Sequence, residues 1–366
     1  MKKLKIIISG GGTGGHIFPA LSIAGEIKDR MPETEILFVG ALGKMEMQRV
    51  PAAGYKIIGL PVMGMPRNIS LNMITFILKL FKSMRKAGKV IRIFRPDIVV
   101  GVGGFASGPI LKMAEKKNIP TVLQEQNSYA GVTNKLLARK VKKICVAYSG
   151  MEKYFPKEKL VLTGNPVRKQ LLDNIDKKEA LRKYGLEEGK PVLLILGGSQ
   201  GARTINESVM AHIDEINNGG VQIIWQTGSF YYKEMLSRLE GKCPKLLKPY
   251  EFLTNMELAY KAADLVISRS GAGTISELCL LGKSSILVPS PNVAEDHQTK
   301  NAMALTEKQA SVMVKDSDAI EKLIPEAFNL IKDDKKLRHM SENSKKLGRP
   351  YAASEIVDVI LDALNN

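Results

Sequence analysis

At 366 residues the chain exceeds what one comfortable hydrophobic core needs, and two α/β domains of about 150 to 200 residues each are expected. The composition is that of an ordinary globular protein; its three cysteines, Cys145, Cys243 and Cys279, lie far apart with neither an even count nor metal spacing, which excludes a disulfide-stapled secreted module and reads as small core residues in a reducing compartment. The net charge of +17 lies wholly in residues 1–165, where 27 lysines and arginines face 10 acids, so the front half is built to meet something acidic: nucleic acid, an anionic membrane or a phosphorylated substrate.

The N-terminal apolar run lasts about four residues before glycines interrupt it, which makes it a first strand and not a signal peptide. From Leu4 to His16, LKIIISGGGTGGH, a buried strand breaks into a glycine-rich turn, and the histidine opens a helix. Glycines let backbone amides approach a phosphate closely, and a helix start adds partial positive charge, so the turn reads as an anion site. A helix from about Phe18 to Arg30 leads to a second strand, Glu35 to Ala41, and a third is expected at Tyr55 to Pro61. Further strands follow at Asp97 to Gly104, Pro120 to Asn127, Lys142 to Tyr148 and Leu160 to Pro166. Strands alternating with helices imply a parallel sheet that binds ligands at its C-terminal ends.

The pattern restarts at Pro191 to Arg203, PVLLILGGSQGAR, again strand, glycine loop and helix start, with more strands in QIIWQTG, ADLVISRSGAGTISE and SSILVPSP. DIVVGVGG at Asp97 and DLVISRSGAG at Asp264 echo each other. Two similar doubly wound domains are therefore expected to face each other about a hinge near Gly164 to Pro166, with the last helix, Pro350 to Leu364, packing back across the junction.

One segment fits no tidy sheet. Between Ile69 and Met84, ten of sixteen residues are large and apolar, with Lys79, Lys82, Arg85 and Lys86 on or beside them. The stretch is too short and too charged to span a bilayer. Periodicity alone leaves two readings open: an amphipathic core helix with a solvated lysine edge, or an interfacial helix on anionic lipid. The one-sided charge favours the membrane, with Ile74, Phe76, Ile77 and Phe81 as apolar contacts and Lys79 and Lys82 as basic ones.

Gly10, Gly12 and Gly15 satisfy the spacing of dinucleotide-binding loops, but that chemistry needs an acid at the end of the second strand to hold the ribose. The strand ends in Val39, Gly40 and Ala41, and the nearby acids Glu33 and Glu35 precede it. Neither glycine loop has the Gly-Lys-Ser/Thr ending of a phosphate-loop NTPase, and no Asp-x-Asp pair or His/Cys cluster offers a metal site. If a nucleotide sugar is the donor, backbone amides and helix termini must stabilise the leaving diphosphate, and Gly197–Gly201 and Gly271–Gly273 suit that task or serve as tight turns. In Ile267 to Ala302, a small-residue turn meets a helix start at Thr274, with Glu277 one turn inside and Glu295, Asp296, His297 and Gln298 in a later polar loop. A carboxylate there accepts ribose hydroxyls, and an amide reads sugar hydroxyls as donor and acceptor at once.

GGGTGGHIFPALSIA, GVGGFASGP, QEQNSYAG, TGNPVR, LGGSQGAR, and SRSGAGTISE with DHQTKNA resemble, in order and over nearly the whole chain, the MurG family, the peptidoglycan N-acetylglucosaminyltransferases of bacteria. The resemblance implies a GT-B fold, two doubly wound parallel-sheet α/β domains facing a deep cleft. Residues 1–163 with the C-terminal helix 350–366 would bind acceptor and membrane, and residues 164–349 the donor. It implies an inverting transfer of N-acetylglucosamine (GlcNAc) from UDP-GlcNAc to the C4 hydroxyl of the muramoyl sugar in undecaprenyl-diphospho-muramoyl-pentapeptide (lipid I), giving lipid II, at the cytoplasmic face of the plasma membrane; with no metal motif in the sequence, no cofactor is expected.

By the same resemblance, Ser199 and Arg168 meet the nucleotide or its diphosphate and Leu253 contacts the uracil through its backbone. Ala272, Gly273, Thr274, Ile275, Ser276 and Glu277 cradle the diphosphate and ribose, with Glu277 on the ribose, and Gln298 reads the GlcNAc hydroxyls. Thr13, Gly14, Gly15 and Asn127 complete the donor site from the N-terminal side. Phe105 stands where some relatives have tyrosine, and His297 where some have a second glutamine.

His16 fits as the base. The acceptor hydroxyl must lose its proton as it attacks the anomeric carbon, and a neutral imidazole at a helix N-terminus can take it; the alternative is that His16 only hydrogen-bonds the acceptor or caps the turn. Other functions stay open: a glycolipid synthase, a UDP-GlcNAc 2-epimerase, or a basic nucleic-acid-binding protein, the last disfavoured by low aromatic content without aromatic-basic interleaving.

Overall fold

The computed structural model describes residues 3–12, 14–64, 71–293 and 296–365. The chain divides into two compact units, Met1–Val167 with Arg349–Asn366, and Arg168–Gly348.

In the first unit, β1 (Lys5–Ser9), β2 (Glu35–Ala41), β3 (Lys56–Leu60), β4 (Ile98–Gly101), β5 (Thr121–Glu125), β6 (Lys143–Val146) and β7 (Leu160–Leu162) form a parallel sheet in the order 3-2-1-4-5-6-7. Helices α1 (Gly14–Arg30), α2 (Glu46–Ala52), α3 (Leu71–Phe94), α4 (Ser107–Glu115) and α5 (Val132–Leu137) connect them. The strands are apolar on both faces because both are covered. Ile7, Val99 and Leu123 pack with residues of α3, α4 and α5, while Ile6, Ile8, Ile98 and Val100 pack with α1 and the C-terminal helix Ala352–Asn365.

Residues 164–167, expected in the second domain, stay with the first unit. Buried Asn165 explains why: its Nδ2 donates to the Gln126 carbonyl at 2.9 Å, and its Oδ1 accepts from Gln124 Nε2 at 2.9 Å. The C-terminal helix lies in the core of this unit, where Ile356, Val357 and Ile360 join Ile23 and Ile27 and where Asp358 pairs with Arg30 at 2.6 Å. Helix α1 begins at Gly14, earlier than the expected Phe18, so that His16 sits inside its first turn.

The second unit repeats the plan. Its strands β8 (Val192–Leu196), β9 (Gln222–Gln226), β10 (Leu247–Tyr250), β11 (Leu265–Ser268), β12 (Ser285–Leu287) and β13 (Val312–Met313) are parallel in the order 10-9-8-11-12-13. Its helices are α6 (Lys177–Lys183), α7 (Arg203–Ala211), α8 (Ile213–Asn218), α9 (Tyr232–Leu239), α10 (Met256–Ala262), α11 (Ala272–Leu281), α12 (His297–Thr306), α13 (Ala319–Ile331) and α14 (Asp334–Lys346). The sequence echo has a structural cause. Asp97 Oδ2 accepts the amide of Lys5 at 2.8 Å, and Asp264 Oδ2 accepts that of Val192 at 2.9 Å, so each acid ties down the start of its unit's central strand. In both sheets the strand order reverses beside that central strand, the switch point at which doubly wound sheets bind ligands outside the C-terminal ends of their strands.

Cys145 and Cys279 are core residues as expected, burial pushing both thiols up to about 12, whereas Cys243 is exposed. Lys283 is half-buried, and desolvation of its ammonium lowers it from 10.5 to about 8 although its Nζ donates to the Ala263 carbonyl at 2.7 Å. Between those two values the unfolded chain binds a proton that the folded chain does not, so stability rises with pH across the window. Relative to Lys283→Met, the wild type should gain about 3 kcal/mol from the bottom of the window to its top. Urea melts of both proteins at several pH values check this, and parallel curves would refute it.

Candidate active site

Two loops at the switch point of the first sheet meet at His16. The imidazole Nδ1 lies 3.1 Å from the Gly11 carbonyl oxygen. A carbonyl can only accept, so this contact assigns the proton to Nδ1 and the lone pair to Nε2. The β4–α4 turn closes on the ring: a Cβ on Gly103 would stand 2.7 Å from His16 Cδ2 and 2.9 Å from Nε2, and a Cβ on Gly104 would stand 2.3 Å from the Gly11 oxygen. Both glycines have φ near +85 to +89°, so the Gly-Gly of GVGGFASGP is needed for close approach and for backbone shape together. Ser107 ties the turn down, its Oγ donating to the Gly103 carbonyl at 2.6 Å.

Within the glycine turn, the Gly12 amide donates to both carboxylate oxygens of Glu46, at 3.1 and 3.0 Å, so this amide already holds an anionic group of the chain itself. Gly14 and Gly15 lie in the first turn of α1, and Thr13 falls outside the described residues. Asn127 follows β5, where its amide and its Nδ2 donate to Glu125 Oε1 at 3.2 and 3.3 Å. The buried Glu125 also accepts from Gly131 N and Asn134 Nδ2, each at 2.9 Å, and so sets the whole β5–α5 loop.

In the second unit, α11 starts directly from the Ser270–Gly271 turn after β11, presenting the backbone of Ala272, Gly273 and Thr274 at a helix N-terminus. Ile275 turns its side chain into the core, and Ser276 Oγ donates back to the Ala272 carbonyl at 2.9 Å. Glu277 is the hub. Arg168 donates to its Oε1 from Nε at 3.2 Å and from Nη2 at 2.8 Å, and the Tyr260 hydroxyl donates to its Oε2 at 3.0 Å. Burial, and then the Glu277 charge, hold the Tyr260 phenol well above the ordinary tyrosine range, so it remains a donor.

Gln226, at the end of β9, joins two of the expected donor segments. Its Nε2 donates to the Gly198 carbonyl at 3.0 Å, beside exposed Ser199, and its Oε1 accepts the Leu253 amide at 2.9 Å. A backbone contact from Leu253 to a base must therefore use its carbonyl, because its N–H is already engaged. The Gln298 carboxamide oxygen accepts the Ser290 amide at 2.9 Å, and the Gln298 carbonyl accepts from Ser270 Oγ at 2.8 Å, which fastens α12 beside the start of α11.

On α3, Ile74, Ile77 and Phe81 are 59%, 57% and 69% exposed, and Leu78 and Leu80 are exposed with them. Lys79, Lys82, Arg85 and Lys86 are exposed on the same half of the helix. Phe76 differs from expectation in being half-buried, while Ala87, Val90 and Ile91 farther along pack into the core. Ile69 lies outside the described residues, as does Glu295 of the later loop. Among the described residues no helix is long and apolar enough to cross a membrane, and no group of three His, Cys, Asp or Glu could hold a metal ion.

Residues 6–146 match the glycosyltransferase family 28 N-terminal domain and residues 192–356 its C-terminal domain. Over 366 residues, the whole of both chains, the sequence is 56% identical to the UDP-N-acetylglucosamine--N-acetylmuramyl-(pentapeptide) pyrophosphoryl-undecaprenol N-acetylglucosamine transferase of Parabacteroides distasonis. The chain belongs to the MurG family of glycosyltransferases. The MurG-type transferase of the same description from Bacteroides thetaiotaomicron is 55% identical over 364 residues, 98% of each chain. The crystal structure of Acinetobacter baumannii MurG superposes with a TM-score of 0.78 at 26% identity, covering 99% of this chain and 100% of that one. The two parallel-sheet units are thus the two halves of a GT-B glycosyltransferase.

Proposed function

We propose that this MurG-family enzyme transfers GlcNAc from UDP-GlcNAc to the C4 hydroxyl of undecaprenyl-diphospho-muramoyl-pentapeptide, making lipid II with inversion at the anomeric carbon. The observation that carries this reading is end-to-end identity of 56% with a relative named for that transfer. The second unit takes the donor. Amides at the start of α11 meet the charge that grows on the leaving UDP diphosphate, where fixed dipoles need no reorganisation. Glu277 accepts the ribose hydroxyls through the lone pairs that Arg168 and Tyr260 leave it. With its oxygen held by Ser290, Gln298 reads a GlcNAc hydroxyl through its NH2 end.

The first unit takes the acceptor. His16 Nε2 accepts the proton of the C4 hydroxyl as that oxygen attacks the anomeric carbon; the C–O bond to UDP breaks on the opposite face, and UDP leaves with the bonding pair. Release of UDP should require the lipid acceptor. Loss of UDP-GlcNAc to free UDP or to a 2-epimer without acceptor would instead favour an epimerase.

The exposed apolar and basic residues of α3 rest on anionic lipid at the cytoplasmic face of the plasma membrane, which brings the enzyme to its lipid-linked acceptor. Ile74→Ser, Ile77→Ser and Phe81→Ser together should weaken binding to anionic vesicles at least tenfold, about 1.4 kcal/mol, since each removes exposed apolar area that the membrane would cover. UDP binding should be unchanged. Equal vesicle binding by the triple variant would end the interfacial reading.

A further inference from the structure

Glu46 is 0% exposed, yet it is neither a core residue nor a member of any motif singled out above. It opens α2, and its carboxylate takes the Ala41 amide at 2.8 Å and the Gly12 amide at 3.1 and 3.0 Å. The backbone is shaped around it: a Cβ on Gly11 would stand 2.1 Å from its Oε1, and a Cβ on Gly40 would stand 2.6 Å from its Cγ. The N–H of Gly12 and the C=O of Gly11 belong to one planar peptide group. That carbonyl holds His16 Nδ1.

We propose that Glu46 is a positioning residue for His16, acting through the Gly11–Gly12 peptide: the carboxylate fixes and polarises the peptide N–H, and the peptide C=O in turn fixes and polarises the imidazole. Hydrogen bonds in series strengthen one another, and a carboxylate is the stronger kind of acceptor. The chain Glu46, peptide, His16 holds Nδ1–H in place and leaves Nε2 the more basic nitrogen, as a direct carboxylate–imidazole pair does elsewhere. Of the groups that the described residues place on this turn, Gly103, Gly104 and Ser107 from the β4–α4 side are neutral, and Glu46 from the β2–α2 side carries the charge. The inference rests on His16 being the base.

The test compares wild type with Glu46→Gln, Gly40→Ala and His16→Ala. Gln keeps one oxygen for the Ala41 and Gly12 amides but removes the charge; Gly40→Ala keeps the charge but displaces the side chain. The readouts are kcat against pH with a short-chain lipid I analogue, and NMR titration of the His16 ring, one of four imidazoles in the chain. Both Glu46→Gln and Gly40→Ala should lower kcat about tenfold. In both, the His16 titration and the acid limb of the rate profile should move down by about half a unit to one unit, because the imidazolium loses its support. Should one of the two variants fail to fold, the other carries the test.

His16→Ala separates the role of His16 from that of Glu46. If it keeps wild-type kcat and the acid limb, the base reading fails and the inference falls with it. If it loses both while the other variants titrate like wild type, only the role of Glu46 is overturned. A lower kcat with an unmoved His16 titration would likewise make Glu46 structural and refute the proposal.

Discussion

His16→Ala should lower kcat by about 10²- to 10⁴-fold, the usual worth of a positioned general base. The Michaelis constant for UDP-GlcNAc should stay within about threefold, because His16 lies in the first unit and the donor contacts proposed for this enzyme are concentrated in the second. The geometry behind the first number is the Nδ1 contact with Gly11, which leaves the lone pair on Nε2, and the pair of positive-φ glycines that bring the β4–α4 turn against that edge. Steady-state kinetics with each substrate varied in turn makes the measurement. A kcat within about threefold of wild type would remove His16 from the chemistry and leave it a ligand or a cap.

Glu277→Gln should act on the other side of the reaction, raising the Michaelis constant for UDP-GlcNAc by about 10- to 100-fold with a smaller change in kcat. The size follows from what surrounds the carboxylate. Arg168 points donors at one oxygen and Tyr260 points one at the other, so an amide must turn its NH2 against one of them. That denies the buried Tyr260 hydroxyl or an Arg168 N–H its acceptor, in addition to losing the charge proposed to accept the ribose hydroxyls. Tyr260→Phe should give the same effect in weaker form, a few-fold, because the carboxylate loses one of its two anchors. Arg168→Ala combined with Glu277→Gln should cost less than the sum of the separate losses, since the two side chains form one network. Titration calorimetry with UDP checks all three; UDP affinity unchanged in Glu277→Gln would dismiss the ribose role.

Much of this was legible in the sequence because buried parallel strands leave long apolar runs. IIIS, ILFV, IVVG and VLLIL each mark a strand covered on both faces, and the glycines after them mark the turns at the C-terminal ends. The repeated acid at Asp97 and Asp264 was visible too, although its task is to hold the central strand rather than a ligand. The partners that fix the site residues were not visible. Glu46 lies 34 positions from Gly12, Tyr260 lies 17 from Glu277, and Gln226 lies 27 from Leu253, so only folding brings each pair together. A glutamate shortly after a strand, or a glutamine ending one, has no periodicity that sets it apart. The same holds for Ile275 and Ser276 inside their glycine-rich motif: helical geometry turns the first side chain into the core and lets the second donate to the Ala272 carbonyl.

The central claim is a single-displacement sugar transfer, and the most direct test is the product. The wild-type enzyme should be incubated with UDP-GlcNAc and a short-chain lipid I analogue, and the lipid fraction examined by mass and by NMR of the new anomeric proton. The lipid product should carry one added N-acetylhexosamine in β linkage, formed from the α-linked donor, with one UDP released per acceptor consumed. An acceptor of unchanged mass, or a product that keeps the α linkage, would contradict it.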